Sequence, residues 1–111
     1  MAQEPLRCGE LKLDPVRRQV KRGSELLEMT AKEFDLLQMF MAHPGRAFSR
    51  QQLLEQVWGY AQGGYEHTVN THINRLRGKI ESDSAEPKYI LTVWGMGYRF
   101  RELDDDESQP C

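Results

Sequence analysis

The segment from residue 67 to residue 80 has two faces of different chemistry and contains no acidic residue. Val69, Ile73, Leu76 and Ile80 recur at spacings of four, three and four, which places them on one stripe of a helix. The remaining positions carry Asn, Thr, Arg and Lys side chains, which hydrogen-bond base edges and phosphates. This pattern predicts a helix that packs on a core and fits a major groove. A solvated surface helix is the alternative for a charge pattern taken alone.

The charge of the chain is unevenly distributed. The 111 residues suit one domain, and the formal net charge is −2. Five of the seventeen acids lie in residues 102–107, so residues 1–101 carry twelve acids against all fifteen bases. We therefore expect a flexible lead over residues 1–5, a mildly basic domain over 6–101 and an acidic tail over 102–111. The small basic excess argues against binding by charge alone.

Enzyme and metal chemistry has no support in the sequence. Phosphate-binding glycine loops, nucleophile elbows and zinc signatures are absent from it. His67 and His72 are five residues apart, so they point to different sides of a helix and make a poor metal pair. Cys8 and Cys111 have no redox or metal spacing, and we expect two reduced thiols. The lack of catalytic and metal-binding motifs predicts a protein that is not an enzyme and has no cofactor. No signal peptide or long apolar span is visible, so the sequence predicts a cytoplasmic location.

Short strands begin and end the predicted domain. Gly23-Ser24 is typical of a two-residue hairpin turn, and the strands of the first sheet are predicted at 6–8, 10–13, 17–22 and 25–28. Near the C-terminus, two β-prone runs flank Gly95 and Gly97, so residues 89–101 are predicted to form a hairpin.

Three helices are predicted between these strands. Thr30 with Glu33, and Ser49 with Gln52, are capping boxes that begin the first two helices. The first helix should end at residues 43–45 and the second at 59, and the third should run from 65 or 66 to about 81. The predicted fold class is α+β: a winged helix-turn-helix with an N-terminal four-stranded antiparallel sheet, three helices and a C-terminal β-hairpin wing.

Several side chains of the third helix suit contacts to DNA. Arg75 lies off the apolar stripe, where it can bind guanine O6 and N7 in bidentate fashion. Asn70 suits adenine, and Thr71 can offer its hydroxyl to a base or its methyl group to thymine. Arg50 lies in the first turn of the second helix, where backbone N–H groups also attract phosphate. Further candidate phosphate contacts flank the base readers at His72, Asn74 and Arg77.

The order and spacing of motifs resemble one known family. The chain is similar to the winged-helix DNA-binding (effector) domain of OmpR/PhoB-type response regulators over roughly residues 6–101. The resemblance is carried by Leu27–Thr30, Glu33-Phe34, Leu36-Leu37, Ser49-Arg50, Leu53, Val57-Trp58-Gly59, Thr68-Val69, Leu76-Arg77, Lys79, Ile90–Val93, Gly95 and Gly97–Phe100.

The resemblance implies sequence-specific binding to tandem promoter sites and control of transcription, with two copies on the DNA. It implies that helix 66–81 enters the major groove and that hairpin 89–101 reaches the neighbouring minor groove. Loop 59–64 is implied to touch RNA polymerase in some members, and a receiver domain would precede this chain. Carried over by position, the base readers are Asn70, Thr71 and Arg75, and the phosphate contacts are His67, His72, Asn74, Arg77 and Thr92.

The chain departs from the family at four positions. The family often has Arg at position 67, Asp at 70 and a basic residue at 74, where this chain has His67, Asn70 and Asn74. At the wing, which also carries Arg99, Trp94 replaces a usual Arg. Trp94 can pack on a sugar, contact a protein or anchor the hairpin.

Two alternatives to this function stay open. One is a winged-helix protein-interaction module that does not bind DNA, which the low net charge, Trp94 and the acidic tail favour. The other is a related transcription activator that lacks a receiver domain.

Overall fold

The predicted order of sheet, helices and wing is confirmed, with one additional strand. The computed structural model describes residues 4–59 and 66–102. The elements are β1 (Leu6–Cys8), β2 (Leu11–Asp14), β3 (Gln19–Arg22), β4 (Glu25–Leu27), α1 (Ala31–Ala42), β5 (Ala47–Ser49), α2 (Arg50–Trp58), α3 (Glu66–Ile80), β6 (Ile90–Val93) and β7 (Gly97–Phe100).

The N-terminal sheet is antiparallel in the order β1-β2-β3-β4. Gly23, with φ +63°, makes the two-residue turn between β3 and β4, as predicted. The second strand begins and ends one residue later than predicted, and β4 ends one residue earlier. The third strand was predicted from residue 17, but residues 15–18 form a turn. Asp14 Oδ1 accepts hydrogen bonds from the backbone N–H groups of Val16 and Arg17, and this local bonding replaces the strand.

Three cations lie side by side on the outer face of this sheet. Arg7 is directly opposite Lys12, and Lys12 is directly opposite Lys21. Like charges in paired positions destabilise a sheet. We expect Lys12→Glu to raise the free energy of unfolding by about 0.2–1 kcal/mol, because it converts both pairs to attractive ones. Urea unfolding at low and high salt measures this gain, which salt should reduce. An unchanged stability at low salt would show that the three charges do not interact.

Both predicted capping boxes are present. Thr30 and Glu33 bond reciprocally at the start of α1, and Ser49 and Gln52 do so at the start of α2. Gly59 ends α2 in the left-handed conformation, with φ +86°. The third helix ends at Ile80, one residue before the predicted position. These helices begin and end where local side-chain bonds satisfy backbone groups that a helix leaves unpaired.

The wing is larger than the predicted hairpin. Residues 47–49 form β5, where no strand was predicted, and the second sheet has the order β5-β7-β6. Phe48 is buried and pairs with Tyr98 of β7, while Ser49 pairs with Gly97. This strand forms because it pairs with residues about 50 positions away in the sequence. Three residues are too few for an alternation of apolar and polar side chains to predict a strand.

The core joins the sheets and the helices. The stripe of α3 is fully buried at Val69, Ile73, Leu76 and Ile80, as the periodicity predicted. The expectation of a reduced Cys8 is wrong, because Cys8 is disulfide-bonded. In the described ranges, each helix is too short or too polar to cross a membrane.

Candidate nucleic-acid interface

The face of α3 opposite its buried stripe is open to solvent. Its exposed positions are His67, Thr71, Asn74, Arg75 and Gly78. Neighbouring positions of this set are three or four residues apart, which is about one helical turn, so they form one surface. None of the five is acidic, and Gly78 leaves room in the middle because it has no side chain. A surface of this kind can lie close to a polyanion.

Arg75 is the most available cation of this surface. It is exposed, and it takes part in none of the hydrogen bonds or ion pairs among the described residues. Its five N–H donors can therefore reach a partner without breaking a bond in the protein. Thr71 Oγ1 donates to the backbone oxygen of His67 at 3.1 Å, so its hydroxyl oxygen can still accept. Contacts of Thr71 and Arg75 to base edges remain a prediction.

Asn70 lies at the centre of a polar cluster that joins α2, α3 and β7. Its Oδ1 accepts from Arg50 Nε and from the Tyr98 hydroxyl, both at 2.8 Å. We call Arg50, Asn70, Arg77 and Tyr98 the Tyr98 cluster, because both guanidinium groups lie over the Tyr98 ring, at 5.8 Å and 5.4 Å. A bidentate adenine contact by Asn70 would need the oxygen that these two bonds occupy. Its amide N–H groups and the terminal nitrogens of Arg50 keep donor capacity.

Arg77 fastens α3 to the wing. Its Nε and Nη2 donate to the backbone oxygen of Ile90, and Nη2 also donates to Thr92 Oγ1 at 3.0 Å. Burial lowers the pKa of Arg77, while Tyr98 and Glu81 act in the opposite direction. The residue stays a cation at neutral pH because an arginine pKa starts so high. Two predicted phosphate contacts, Arg77 and Thr92, are thus brought together, and they also set the position of the wing.

The other predicted phosphate contacts lie in two settings. Asn74 and His67 are on the exposed face of α3. His72 is half-buried, and its ring makes a T-shaped contact with the Trp58 ring, with 5.0 Å between the ring centroids. Its Nδ1 atom is 2.8 Å from the Thr68 backbone oxygen. The structure therefore gives His72 a packing role between α2 and α3, and its contact to phosphate remains a prediction.

A partly buried ion pair connects α3 to α1. Lys79 of α3 donates to Glu33, whose side chain is almost fully buried on α1. Burial by itself raises the pKa of Glu33, but the hydrogen bonds from Lys79 and Thr30 and the charge of Lys79 outweigh it, so the pKa is below its ordinary value. Arg22 adds a second support, because it donates to the backbone oxygens of Lys79 and Glu81 at the end of α3.

Glu81 is a structural link between α3 and the wing that sequence reasoning missed. Its carboxylate is buried and accepts the backbone N–H groups of Lys88, Tyr89 and Ile90. It follows the last residue of α3, so it connects the end of that helix with the start of β6. An acid next to a polar loop gives no sequence signal of burial.

The wing tip presents an apolar side chain to solvent. Trp94 is 90% exposed, so it does not anchor the hairpin by packing. Arg99, the other predicted wing residue, is half-buried on β7. The loop predicted to contact RNA polymerase lies, except for Gly59, outside the described residues, and so does the tail beyond Glu102. Within the described segments, no group of three His, Cys, Asp or Glu side chains is placed to hold a metal ion.

A helix with an open polar face, fixed beside a β-hairpin, defines a winged helix-turn-helix module. Residues 23–100 match the family described as "Transcriptional regulatory protein, C terminal". The chain belongs to this family, and the resemblance to OmpR/PhoB-type response regulators is confirmed.

Three similar proteins illustrate the relationship. The alkaline phosphatase synthesis transcriptional regulatory protein SphR of Synechococcus elongatus is 47% identical over 94 residues, covering 85% of this chain and 37% of that protein. The response regulator DrrB, a Thermotoga maritima OmpR/PhoB homologue, has 33% identity and a TM-score of 0.80 over 87% of this chain and 44% of its own. The Klebsiella pneumoniae RstA DNA-binding domain, solved in complex with the RstA box, has 35% identity and a TM-score of 0.81 over 88% of this chain and 97% of its own. The chain spans less than half the length of SphR and DrrB.

Proposed function

We propose that this domain binds double-stranded DNA sequence-specifically, as the effector domain of a response regulator that controls transcription. The observation that carries the proposal is the exposed face of α3, where Arg75 has no partner among the described residues and no acid intervenes. The RstA domain solved with the RstA box has the same fold and supports the proposal. The net charge of −2 makes the placement of the cations more important than their number.

The proposed complex follows from how α3 is held. Helix α3 lies in the major groove with Arg75 and Thr71 at base edges, and Asn70 donates from its amide group. Arg50 offers its free guanidinium donors to a phosphate at the start of α2, where backbone N–H groups add to the attraction. The Tyr98 cluster fixes the wing relative to α3, so both elements approach the DNA as one rigid surface.

The same proposal includes partners beyond the DNA. Two copies bind tandem promoter sites, and loop 59–64 contacts RNA polymerase. As the effector domain of a response regulator, this domain acts together with a receiver domain. Such a regulator works in the cytoplasm, where bacterial promoters are.

Selection of bound DNA from a random pool tests the function and yields the site. On the selected sequence, Arg75→Ala should weaken binding about 5- to 150-fold, since a bidentate guanine contact is worth about 1–3 kcal/mol. Affinity for a scrambled sequence should change much less. Circular dichroism should show an unchanged fold, because the side chain is exposed.

Arg17→Ala is the matched control for Arg75→Ala. It removes the same charge from an exposed site in the turn between β2 and β3. We expect this variant to bind the selected DNA like the unchanged domain. If Arg75→Ala and Arg17→Ala have equal affinities, Arg75 is not a base reader. If the pool yields no preferred sequence at any salt concentration, the protein-interaction module becomes the better description.

A further inference from the structure

The most exposed apolar surface of the described chain lies at the wing tip. Trp94 is 90% exposed and Met96 is 46% exposed. Exposed apolar area gives no hydrophobic stabilisation, so folding of this domain does not explain a tryptophan there. A contact made only with a partner does explain it, since tryptophan is enriched at the energetic centres of interfaces.

The wing tip is thin. The backbone N–H of Met96 donates to the Val93 oxygen at 3.0 Å, which closes a tight turn over Trp94 and Gly95. Gly95 has φ +80°, and a Cβ placed on it would meet no atom within 4 Å. The turn is therefore open at Gly95, and the indole ring of Trp94 next to it is exposed to solvent. An element of this width fits a narrow slot better than a flat surface.

The position of the tip relative to α3 is fixed. Arg77 of α3 bonds to Thr92 and to the backbone of Ile90, and Tyr98 bonds to Asn70. Trp94 lies two residues beyond Thr92, or roughly 7 Å further along the strand direction. When α3 lies in a major groove, the tip can therefore project past the flanking backbone toward the neighbouring groove.

The chemistry around the tip suits a polyanion. Residues 87–101 contain no acid, and they include the exposed Lys88 and the half-buried Arg99. A protein partner for an exposed tryptophan would more often be matched by an apolar patch around it. Here the apolar side chains of the tip stand on a basic hairpin, which favours a slot with apolar sugar walls between phosphates.

We propose that Trp94, assisted by Met96, is an apolar specificity-determining contact to the minor groove. This inference rests on the proposed DNA binding. The minor groove of B-DNA is about 6 Å wide, and its walls are deoxyribose C–H groups against which an indole ring can pack. Apolar side chains inserted there act as wedges at deformable base steps. Such a contact adds affinity without releasing counterions and favours flexible pyrimidine–purine steps.

Fluorescence tests the contact directly. The chain has two tryptophans, so Trp58→Phe leaves Trp94 as the reporter. In the free domain, Trp94 should be readily quenched by acrylamide because it is exposed. On the selected DNA, this quenching should fall several-fold. If a gel shift shows binding but acrylamide still reaches Trp94 equally well, the inference is overturned and the proposed function stands. If no DNA binds, both fall together.

Substitutions separate an apolar contact from an ionic one. Trp94→Ala should weaken specific binding at least fivefold at every salt concentration, with an unchanged salt slope and unchanged thermal stability. Trp94→Arg should recover part of the affinity while steepening the slope of log affinity against log salt by about 0.9, one phosphate equivalent. Val16→Ala is the control, because Val16 is also exposed but lies in the turn between β2 and β3.

Two results would contradict the proposal. One is a Trp94→Ala domain that binds selected DNA as tightly as the unchanged domain. The other is protection of Trp94 from acrylamide that depends on protein concentration in the absence of DNA. That second result would assign the tip to contact with a second copy of the chain.

Discussion

Gly97→Ala should lower the free energy of unfolding by about 3 kcal/mol, the upper end of the usual range for overpacking. A Cβ on Gly97 would overlap the carbonyl oxygen of Phe48 and lie 3.0 Å from the Cα atom of Ser49. Both neighbours are backbone atoms of β5, which cannot rotate away as a side chain can. The strands β5 and β7 would have to separate or slide, which costs their hydrogen bonds.

Gly78→Ala is the matched control for this change. Gly78 lies on the exposed face of α3, and a Cβ there would meet no atom within 4 Å. Alanine should stabilise the helix by about 0.5–1 kcal/mol relative to glycine. Chemical unfolding of both variants thus compares one added methyl group in two places. A Gly97→Ala domain as stable as the unchanged one would mean that β5 does not pair with β7 as described.

The helix starts could be predicted from the sequence, but the strand β5 could not. Helix starts were predictable because their cause is local: Thr30 and Ser49 each bond to a residue three positions later. The buried stripe of α3 was predictable because a helix has a fixed period. The strand over residues 47–49 has a distant cause, its pairing with residues 97–99, and no local pattern encodes it.

The candidate site was predictable in outline but not in its bonding. Periodicity separates the buried from the outward side of α3, and Arg75 is exposed as predicted. Periodicity does not identify the hydrogen-bond partner of a side chain that lies at the border between the buried and the outward side. Asn70 and Arg77 lie at that border, and both bond to groups on other elements. The phenol of Tyr98 is a weak sequence signal for this bonding, because a buried tyrosine hydroxyl usually finds a partner.

Glu81→Ala should also lower the free energy of unfolding by about 2–4 kcal/mol. The buried carboxylate accepts the N–H groups of Lys88, Tyr89 and Ile90, and each buried donor left without an acceptor costs about 1–3 kcal/mol. Water can reach the first two, whose bonds are only partly buried, but the bond to Ile90 is fully buried. The total is therefore smaller than three full penalties.

The same substitution should affect DNA binding through geometry. Glu81 joins the end of α3 to the start of β6, so its loss should let the wing move relative to the helix. Glu86→Ala is the control, since Glu86 is an exposed acid in the same connection and its removal changes the net charge equally. Loss of a negative charge alone should strengthen binding slightly in both variants. We expect Glu86→Ala to follow that trend and Glu81→Ala to bind selected DNA more weakly at a temperature where both remain folded. Equal affinities would show that Arg77 and the Tyr98 cluster hold the wing without Glu81.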